Sequence, residues 1–306
     1  MKLSTFLEHH KIDYKQNERI SHLSYVRIGG TASIVAYPKY RGELLCLLAF
    51  LHANGLPYKI VGNMSNILPP DGNWDICLIS TKRLRAVYYE DSLAVAECGV
   101  PLPALCRSMP ANGMNPPAEL VGIPATVGGA VYQNAGAFGL CISDRLVYAD
   151  IYDPREDRVV RIDRAQMSFS YRRSDIASKG ILLSAAIKGA DGDPLGAEER
   201  MKRFSELRQG SQPSAPSLGS VFLRVDGVSA AYYIDEAGLK GCRIGGASVS
   251  LKHAGFIINE GNASAKDYRA LIALVRSRVH GRFGISLQTE IEIIEEMEEA
   301  RWLRFV

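Results

Sequence analysis

The chain has 306 residues, of which 47% are hydrophobic, and a chain of this length can bury roughly three quarters of its unfolded surface. Charged residues make up 23% and the net charge is +3 without blocks of like charge, which excludes a disordered chain and does not indicate a nucleic-acid partner. The six cysteines do not have the spacing of a zinc site. The sequence shows neither an apolar run of ~18 residues nor the apolar core of a signal peptide, so we expect a cytoplasmic protein without membrane insertion.

Helical and extended patterns mix irregularly along the chain. Helical spacing and good caps predict helices at 4–10, starting at Ser4, and at 42–55, 101–109, 197–210, 228–237 and 264–284. Short apolar or alternating runs predict strands at 33–38, 57–62, 75–80, 85–90, 93–98, 146–153, 158–163, 181–189, 244–250, 255–259 and 286–294. The irregular order predicts an α+β fold rather than a doubly wound sheet. The charged helix at 197–210 and the Ser/Pro-rich loop at 211–220 mark the expected domain boundary.

The stretch "GIPATVGGAVYQNAGAFG" (122–139) has five glycines, four alanines and no charged residue. Two interpretations fit it. Small residues allow close backbone packing and tight turns, or a ligand lies against the main chain and binds its amides. The stretch does not follow the GxGxxG pattern of a Rossmann fold. A second turn, "VGNMSNILPPDG" (61–72), concentrates hydroxyl, carboxamide and backbone donors after a predicted strand.

Seven motifs in order are similar to those of UDP-N-acetylmuramate dehydrogenases, also called UDP-N-acetylenolpyruvoylglucosamine reductases: "RIGG", "VGNMSN", "GIPATVGGAVYQNAGAFG", "YRRS", "GSVF", "AGLKG" and "FGISLQTEIEII". The resemblance covers about residues 20 to 295. It implies an FAD-binding domain of the vanillyl-alcohol-oxidase (PCMH) type at 1–195, in two subdomains that meet near residue 80, and a C-terminal α+β substrate-binding domain at 196–306. It also implies NADPH-dependent reduction of UDP-N-acetylglucosamine enolpyruvate to UDP-N-acetylmuramate through FAD, in peptidoglycan precursor synthesis.

In this family the glycine-rich turns hold the FAD pyrophosphate and flank the isoalloxazine ring. The resemblance therefore assigns cofactor binding to Gly62, Asn63, Met64, Ser65, Asn66, Gly122, Ile123, Pro124, Thr126, Gly128, Gly129, Asn134, Ala135, Gly136 and Gly139. Met64 and Ala125 stand where the family has glycines, and Leu223 stands where a polar residue is common. A positive φ at Met64 would cost about 1 kcal/mol or more.

The resemblance assigns catalysis to three residues. Ser220 matches the proton donor, Arg172 the arginine that clamps the carboxylate and stabilises the enolate, and Glu290 the glutamate paired with that arginine. A planar fork of donors suits the task of Arg172. From the pattern alone, Ser220 is an ordinary loop hydroxyl, Arg172 or its neighbour Arg173 forms a surface ion pair, and Glu290 lies on the polar face of a strand.

Substrate contacts are expected from Tyr171, and Lys240 and Arg243 are expected to meet the UDP phosphates. His253 and Asn259 match polar positions of the family pattern and are expected to be structural. We expect no metal site, and a monomer that binds the UDP-sugar and NADPH. Two alternatives stay open: a different FAD-dependent oxidase or dehydrogenase on the same scaffold, and a non-catalytic relative that binds a nucleotide sugar.

Overall fold

The computed structural model describes residues 1–294, which form three main sheets with helices packed against them. The helices within this range are α1 (Leu3–His9), α2 (Arg41–Ala53), α3 (Leu102–Ser108), α4 (Val127–Tyr132), α5 (Ile176–Lys179), α6 (Ala197–Ser211), α7 (Ala230–Glu236) and α8 (Ala265–Phe283). The strands are β1 (Tyr14–Arg19), β2 (Thr31–Ala36), β3 (Tyr58–Val61), β4 (Ile67–Leu68), β5 (Asn73–Ser80), β6 (Val87–Glu90), β7 (Leu93–Glu97), β8 (Gly136–Ala137), β9 (Leu140–Cys141), β10 (Leu146–Asp153), β11 (Arg158–Asp163), β12 (Phe169–Ser170), β13 (Arg173–Ser174), β14 (Ile181–Lys188), β15 (Ser217–Ser220), β16 (Arg243–Ile244), β17 (Ala247–Val249), β18 (Phe256–Asn259) and β19 (Glu292–Ile293).

The first sheet has the order β1-β2-β5-β3. Strands β2, β5 and β3 are parallel, and β1 adds an antiparallel edge. The sequence prediction missed β1, because "YKQNER" is almost entirely polar and mostly exposed. Helix α2 buries Leu44, Leu47, Leu48 and Leu51 at helical spacing. Helix α1 begins at Leu3 after Lys2, without a side-chain cap, so the predicted cap at Ser4 is wrong.

The second sheet is antiparallel throughout, with the order β11-β10-β14-β7-β6. Helices α3 and α4 contribute to its apolar core. Helix α6, which the sequence analysis placed in the second domain, packs here as well, because its Met201 lies in this core and Phe204 packs against it. The apolar face of α6 therefore packs against the core of the second sheet.

The third sheet, β15-β18-β17-β16, is antiparallel and is covered by α7 and α8. Helix α8 begins with a capping box between Ser264 and Asp267 and ends at Gly284, whose φ is +69°. The predicted loop at 211–220 is partly wrong, because Ser217–Ser220 form β15. The predicted strand at 244–250 is divided into β16 and β17.

A segment at the C-terminal end of the described chain runs from the loop after β15 to β4, with which it forms a separate two-stranded sheet. We predicted one strand over 286–294, but only Glu292–Ile293 form a strand, β19, which pairs in parallel with β4. The reason is a change of partner: the Glu290 N–H donates to Val221 O at 2.8 Å, whereas the Glu292 N–H donates to Asn66 O at 2.9 Å. Within residues 1–294, no helix is both long and apolar enough to cross a membrane.

Candidate active site

A cavity of 1910 Å³ is lined by residues from all three sheets and from the loops between them. Pockets for drug-sized ligands span roughly 300–1,000 Å³, so this cavity has room for a dinucleotide and a second ligand. Six cationic side chains and three carboxylates line it, and the excess of cations suits ligands that carry phosphates. They are Lys59, Arg155, Arg172, Lys179, Arg208, Arg224, Asp153, Glu290 and Glu292.

The two glycine-containing turns form one continuous wall of the cavity. Asn63 Nδ2 donates to Pro124 O at 2.8 Å and so ties one turn to the other. A Cβ at Gly62 would lie 2.3 Å from Thr126 Oγ1, so a side chain larger than glycine does not fit there. Packing against Thr126 therefore requires a residue without a side chain at position 62. Main-chain amides of glycine-containing turns are able to bind an anion such as the pyrophosphate of a dinucleotide.

The glycine-rich stretch contains a helix that the sequence analysis did not predict. Helix α4 begins after Thr126, whose Oγ1 accepts the Gly129 N–H at 3.2 Å. A Cβ at Gly128 would lie 2.9 Å from the Cβ and the carbonyl oxygen of Cys98, so close packing requires this glycine. A Cβ at Gly129 would meet one atom within 4 Å, Thr126 Oγ1 at 3.6 Å, and Gly129 lines the cavity. Packing within the protein therefore accounts for the glycine at 128 and does not account for the glycine at 129, where ligand binding stays a prediction.

Most of the predicted cofactor residues line the cavity: Gly62, Asn63, Met64, Ser65, Asn66, Ile123, Pro124, Thr126, Gly128, Gly129, Ala135 and Gly136. Three do not. Gly122 lies under the side chain of Arg208, whose Cδ would be 2.5 Å from a Cβ at position 122. Gly139 has a φ of +89° and open space around it. Asn134 is buried and donates from Nδ2 to Ser170 O at 2.9 Å, so it supports the β12–β13 hairpin instead.

Met64 has the left-handed backbone that the sequence analysis considered, with a φ of +49°. Its side chain is 3% exposed and shares an apolar core with Trp74 and Ile294. The strained backbone costs about 1 kcal/mol or more, whereas truncating a buried methionine costs roughly 2–5 kcal/mol. Burial of the side chain therefore outweighs the strain at this position.

Arg172 and Glu290 form an ion pair at the cavity. Arg172 Nε donates to Glu290 Oε1 at 2.7 Å, and Nη2 donates to Gly136 O at 3.0 Å. The Arg172 side chain is 24% exposed and that of Glu290 12% exposed. Arg172 occupies the turn between β12 and β13 with a φ of +57°. Its neighbour Arg173 is exposed and does not line the cavity, so the two arginines of the motif are in different environments.

The environment of Glu290 favours its neutral form more than usual. Burial raises the pKa of its carboxyl group, and the positive charges of Arg172 and Arg224 oppose that effect. The effect of burial is the larger one, so the pKa of Glu290 stays raised even beside its arginine partner.

Ser220 lies at the end of β15, after Gly219, whose φ is +76°. Its hydroxyl donates to Phe222 O over a long 3.4 Å, which leaves it weakly held at the cavity wall. Because the Glu290 N–H donates to the carbonyl of Val221, the backbone next to Ser220 runs beside that of Glu290. The three predicted catalytic residues therefore line the same cavity.

The predicted substrate residues divide into two groups. Tyr171 lines the cavity and is 47% exposed. Lys240 and Arg243 do not line it: Lys240 pairs with Asp235, and Arg243 pairs with Glu260. The two ion pairs hold these side chains off the cavity wall, although Lys240 lies near enough to His253 for its charge to act on that imidazole.

Sequence reasoning missed Arg208, which lines the cavity from α6. Within residues 1–294 its guanidinium forms no ion pair and donates no hydrogen bond, and burial lowers its pKa. In the sequence it is one charge among many on a charged helix, so only its three-dimensional position distinguishes it. Arg224 also lines the cavity and was not selected.

His253 lines the cavity too, and the sequence analysis considered it structural. Its Nδ1 accepts the Gly255 N–H at 3.1 Å, so the neutral ring carries its proton on Nε2. Burial, and to a lesser extent the charge of Lys240, lowers the pKa of this imidazole. Asn259 has a structural position: its Nδ2 donates to Val26 O at 2.9 Å.

The fold and the cavity define an FAD-dependent oxidoreductase. Residues 32–163 match the family described as "FAD binding domain", and residues 212–294 match "UDP-N-acetylenolpyruvoylglucosamine reductase, C-terminal domain". The UDP-N-acetylenolpyruvoylglucosamine reductase of Caldicellulosiruptor bescii is 38% identical over 302 residues, which cover 97% of this chain and 96% of that relative. The corresponding protein of Streptococcus pyogenes serotype M12 is 38% identical over 293 residues, with 94% and 98% covered.

A solved structure gives the same assignment. The crystal structure of UDP-N-acetylenolpyruvylglucosamine reductase from Thermus caldophilus matches with a TM-score of 0.77 at 29% identity, and the match covers 93% of this chain and 99% of that one. The chain therefore belongs to the UDP-N-acetylenolpyruvoylglucosamine reductase family, which acts in peptidoglycan precursor synthesis. The predicted α+β fold, with a PCMH-type FAD-binding domain and a separate C-terminal domain, is confirmed.

Proposed function

We propose that this protein reduces UDP-N-acetylglucosamine enolpyruvate to UDP-N-acetylmuramate, with NADPH as the reductant. The observation that carries the proposal is the 2.7 Å bond between Arg172 and Glu290 at a cavity that Ser220 also lines. When bound, FAD supplies hydride transfer from NADPH to the enolpyruvyl double bond. The residues of the chain then have to bind the substrate, stabilise charge and supply a proton.

Arg172 is the group proposed to stabilise negative charge. Hydride addition to the terminal vinyl carbon leaves negative charge on the neighbouring carbon and on its carboxylate. A guanidinium whose Nε and Nη2 are already bonded to Glu290 and Gly136 is fixed in place and keeps further N–H donors for that carboxylate. Fixed donors at a developing charge contribute roughly 2.7–4 kcal/mol to transition-state stabilisation.

Ser220 is the proposed proton donor to the carbon that carries this charge. Its hydroxyl lines the cavity and is bonded only weakly, at 3.4 Å, to Phe222 O, so it is able to turn toward a substrate. Glu290 is proposed to hold Arg172 in position, and its own side chain is 12% exposed. General acid catalysis of this kind contributes roughly 10²–10⁴-fold to a rate.

The UDP diphosphate needs cations on the cavity wall. Because Lys240 and Arg243 are held in ion pairs and do not line that wall, we propose that Arg224 and the Nε2–H of His253 meet the diphosphate in their place. Tyr171 stays a proposed contact, because its ring is exposed at the cavity and lies 5.2 Å from the guanidinium carbon of Arg172.

We also propose a cytoplasmic monomer with an FAD-binding part and a C-terminal substrate-binding part. The packing of α6 on the second sheet supports placing the division after α6 and before β15, rather than at 195/196. The two separate sheets at residues 14–80 and 87–188 support a further division of the FAD-binding part near residue 80.

The proposed function is tested by an assay of the purified, FAD-loaded protein with NADPH and UDP-N-acetylglucosamine enolpyruvate. We expect NADPH consumption that requires the enolpyruvyl nucleotide and yields one UDP-N-acetylmuramate, identified by mass, for each NADPH consumed. The matched control substrate is UDP-N-acetylglucosamine, which lacks the double bond. A folded, FAD-loaded protein that binds the nucleotide and consumes no NADPH would contradict the proposal.

A further inference from the structure

We infer that Met64 is a positioning residue for Glu290, because its side chain anchors the segment that carries this glutamate. We refer to residues 288–294 as the C-terminal strap. The inference rests on the proposed role of Glu290 in the substrate half-reaction, whereas the anchoring of the strap by Met64 is measurable without that role. The family resemblance assigns the turn that contains residue 64 to cofactor binding and has glycine at that position, so it gives no role to a side chain there.

The strap changes partner at Glu290. Before that residue, the Leu223 N–H donates to Gln288 O at 2.9 Å, and the Glu290 N–H donates to Val221 O at 2.8 Å. After it, the Glu292 N–H donates to Asn66 O at 2.9 Å, and the Ile294 N–H donates to Leu68 O at 3.0 Å. The position of Glu290 is therefore set by hydrogen bonds to two separate segments, the loop after Ser220 and the segment at 66–68.

Met64 fastens the second of these attachments. Its side chain is almost fully buried in the apolar core that also contains Ile294, the last residue of the strap. Two residues later, Asn66 bonds to the strap through its carbonyl and also through its side chain, because Nδ2 donates to Glu290 O at 3.3 Å. The pair between Lys59 and Glu292 adds a polar contact on the same side. The turn that faces the cofactor cavity and the strap that carries Glu290 thus share one small core.

The backbone at Met64 explains what the side chain contributes. A φ of +49° is unfavourable for methionine and acceptable for glycine and asparagine. If backbone strain dominated, glycine or asparagine at position 64 would strengthen the turn. If the packing of the side chain dominates, both substitutions loosen the strap, and leucine, which has the same backbone strain but a similar apolar volume, preserves it.

The experiment compares Met64→Gly, Met64→Asn and Met64→Leu in the FAD-loaded full chain, using hydrogen exchange of the peptide that covers residues 288–294. We expect the glycine and asparagine variants to exchange at the strap roughly tenfold faster than the wild type, and the leucine variant to stay close to it. Met109→Ala is the matched control: Met109 is a fully buried methionine of the second-sheet core, and its truncation leaves strap exchange unchanged.

A second readout uses the substrate half-reaction of the same variants, measured at full FAD occupancy. Reoxidation of the reduced flavin by the enolpyruvyl nucleotide is expected to slow roughly tenfold in Met64→Gly and Met64→Asn and to stay close to wild type in Met64→Leu and in Met109→Ala. Unchanged strap exchange in the glycine and asparagine variants, or equal loosening by leucine, would overturn the inference. Wild-type protein that lacks the substrate half-reaction would instead refute the proposed function and leave the exchange result standing.

Discussion

The substitution Gly129→Ala tests whether cofactor binding, rather than packing within the protein, requires glycine at position 129. Gly129 lies inside α4, and an added Cβ would meet only Thr126 Oγ1, at 3.6 Å, an ordinary van der Waals distance. The protein alone has room for the methyl group. Replacing glycine by alanine within a helix stabilises it by roughly 0.5–1 kcal/mol, so we expect a Tm raised by about 1–3 °C.

FAD binding is expected to change in the opposite direction. Gly129 lines the cavity, so the methyl group occupies space against which the cofactor is expected to lie. An overpacked contact costs roughly 1–3 kcal/mol, which corresponds to an FAD Kd about 5- to 150-fold weaker. Titration of apoprotein with FAD, followed by quenching of flavin fluorescence, measures this change. Gly281→Ala is the matched control, since Gly281 lies in α8 with no atom within 4 Å of its added Cβ and does not line the cavity. Wild-type FAD affinity in Gly129→Ala would refute the reasoning.

Three further substitutions test the proposed catalytic residues. Ser220→Ala is expected to keep flavin reduction by NADPH and to slow reduction of the enolpyruvyl group by roughly 10²–10⁴-fold, measured by stopped flow; equal slowing of both half-reactions would exclude a proton-donor role. Arg172→Ala should lower kcat/KM for the nucleotide by roughly 10²–10³-fold, whereas Arg173→Ala, at the exposed neighbour, should leave it near wild type. Glu290→Gln should gain unfolding free energy relative to wild type as pH rises. Burial raises the pKa of Glu290 in the folded protein, so wild type loses stability as pH rises from the unfolded pKa through the raised folded value. Urea unfolding across that pH range measures the difference, and a pH-independent difference would contradict the buried-carboxyl argument.

The local sequence pattern was sufficient to predict the helices and strands that pack within one sheet and its core. The apolar spacing of α8 and its capping residues Ser264 and Asp267 predicted a helix at 264–284, and the structure has it at Ala265–Phe283. Strands β10 and β11 match their predicted ranges: β11 pairs along its whole length with β10, and β10 is paired with β14 on its other side. Where the chain changes partner, as it does at Glu290, an alternating pattern does not reveal that the strand is interrupted.

The site shows a similar division. Motif order predicted Arg172, Ser220 and Glu290, which line one cavity although they come from distant segments. Charge type alone did not distinguish Arg243, which pairs with Glu260 outside the cavity, from Arg208, which lines the cavity without an acidic partner among the described residues. Whether a surface-type residue of a helix faces solvent or a cavity depends on long-range packing, and the sequence of one helix does not contain that information.

We propose that FAD bound along the glycine-lined wall exchanges electrons with an enolpyruvyl nucleotide beside Ser220, Arg172 and Glu290. The most direct measurement mixes the flavin-reduced protein anaerobically with UDP-N-acetylglucosamine enolpyruvate and follows flavin absorbance. We expect rapid return of the oxidised-flavin spectrum in wild type, with formation of UDP-N-acetylmuramate, and slow return in Ser220→Ala. A wild-type protein that binds both FAD and the nucleotide but stays reduced would contradict this proposal.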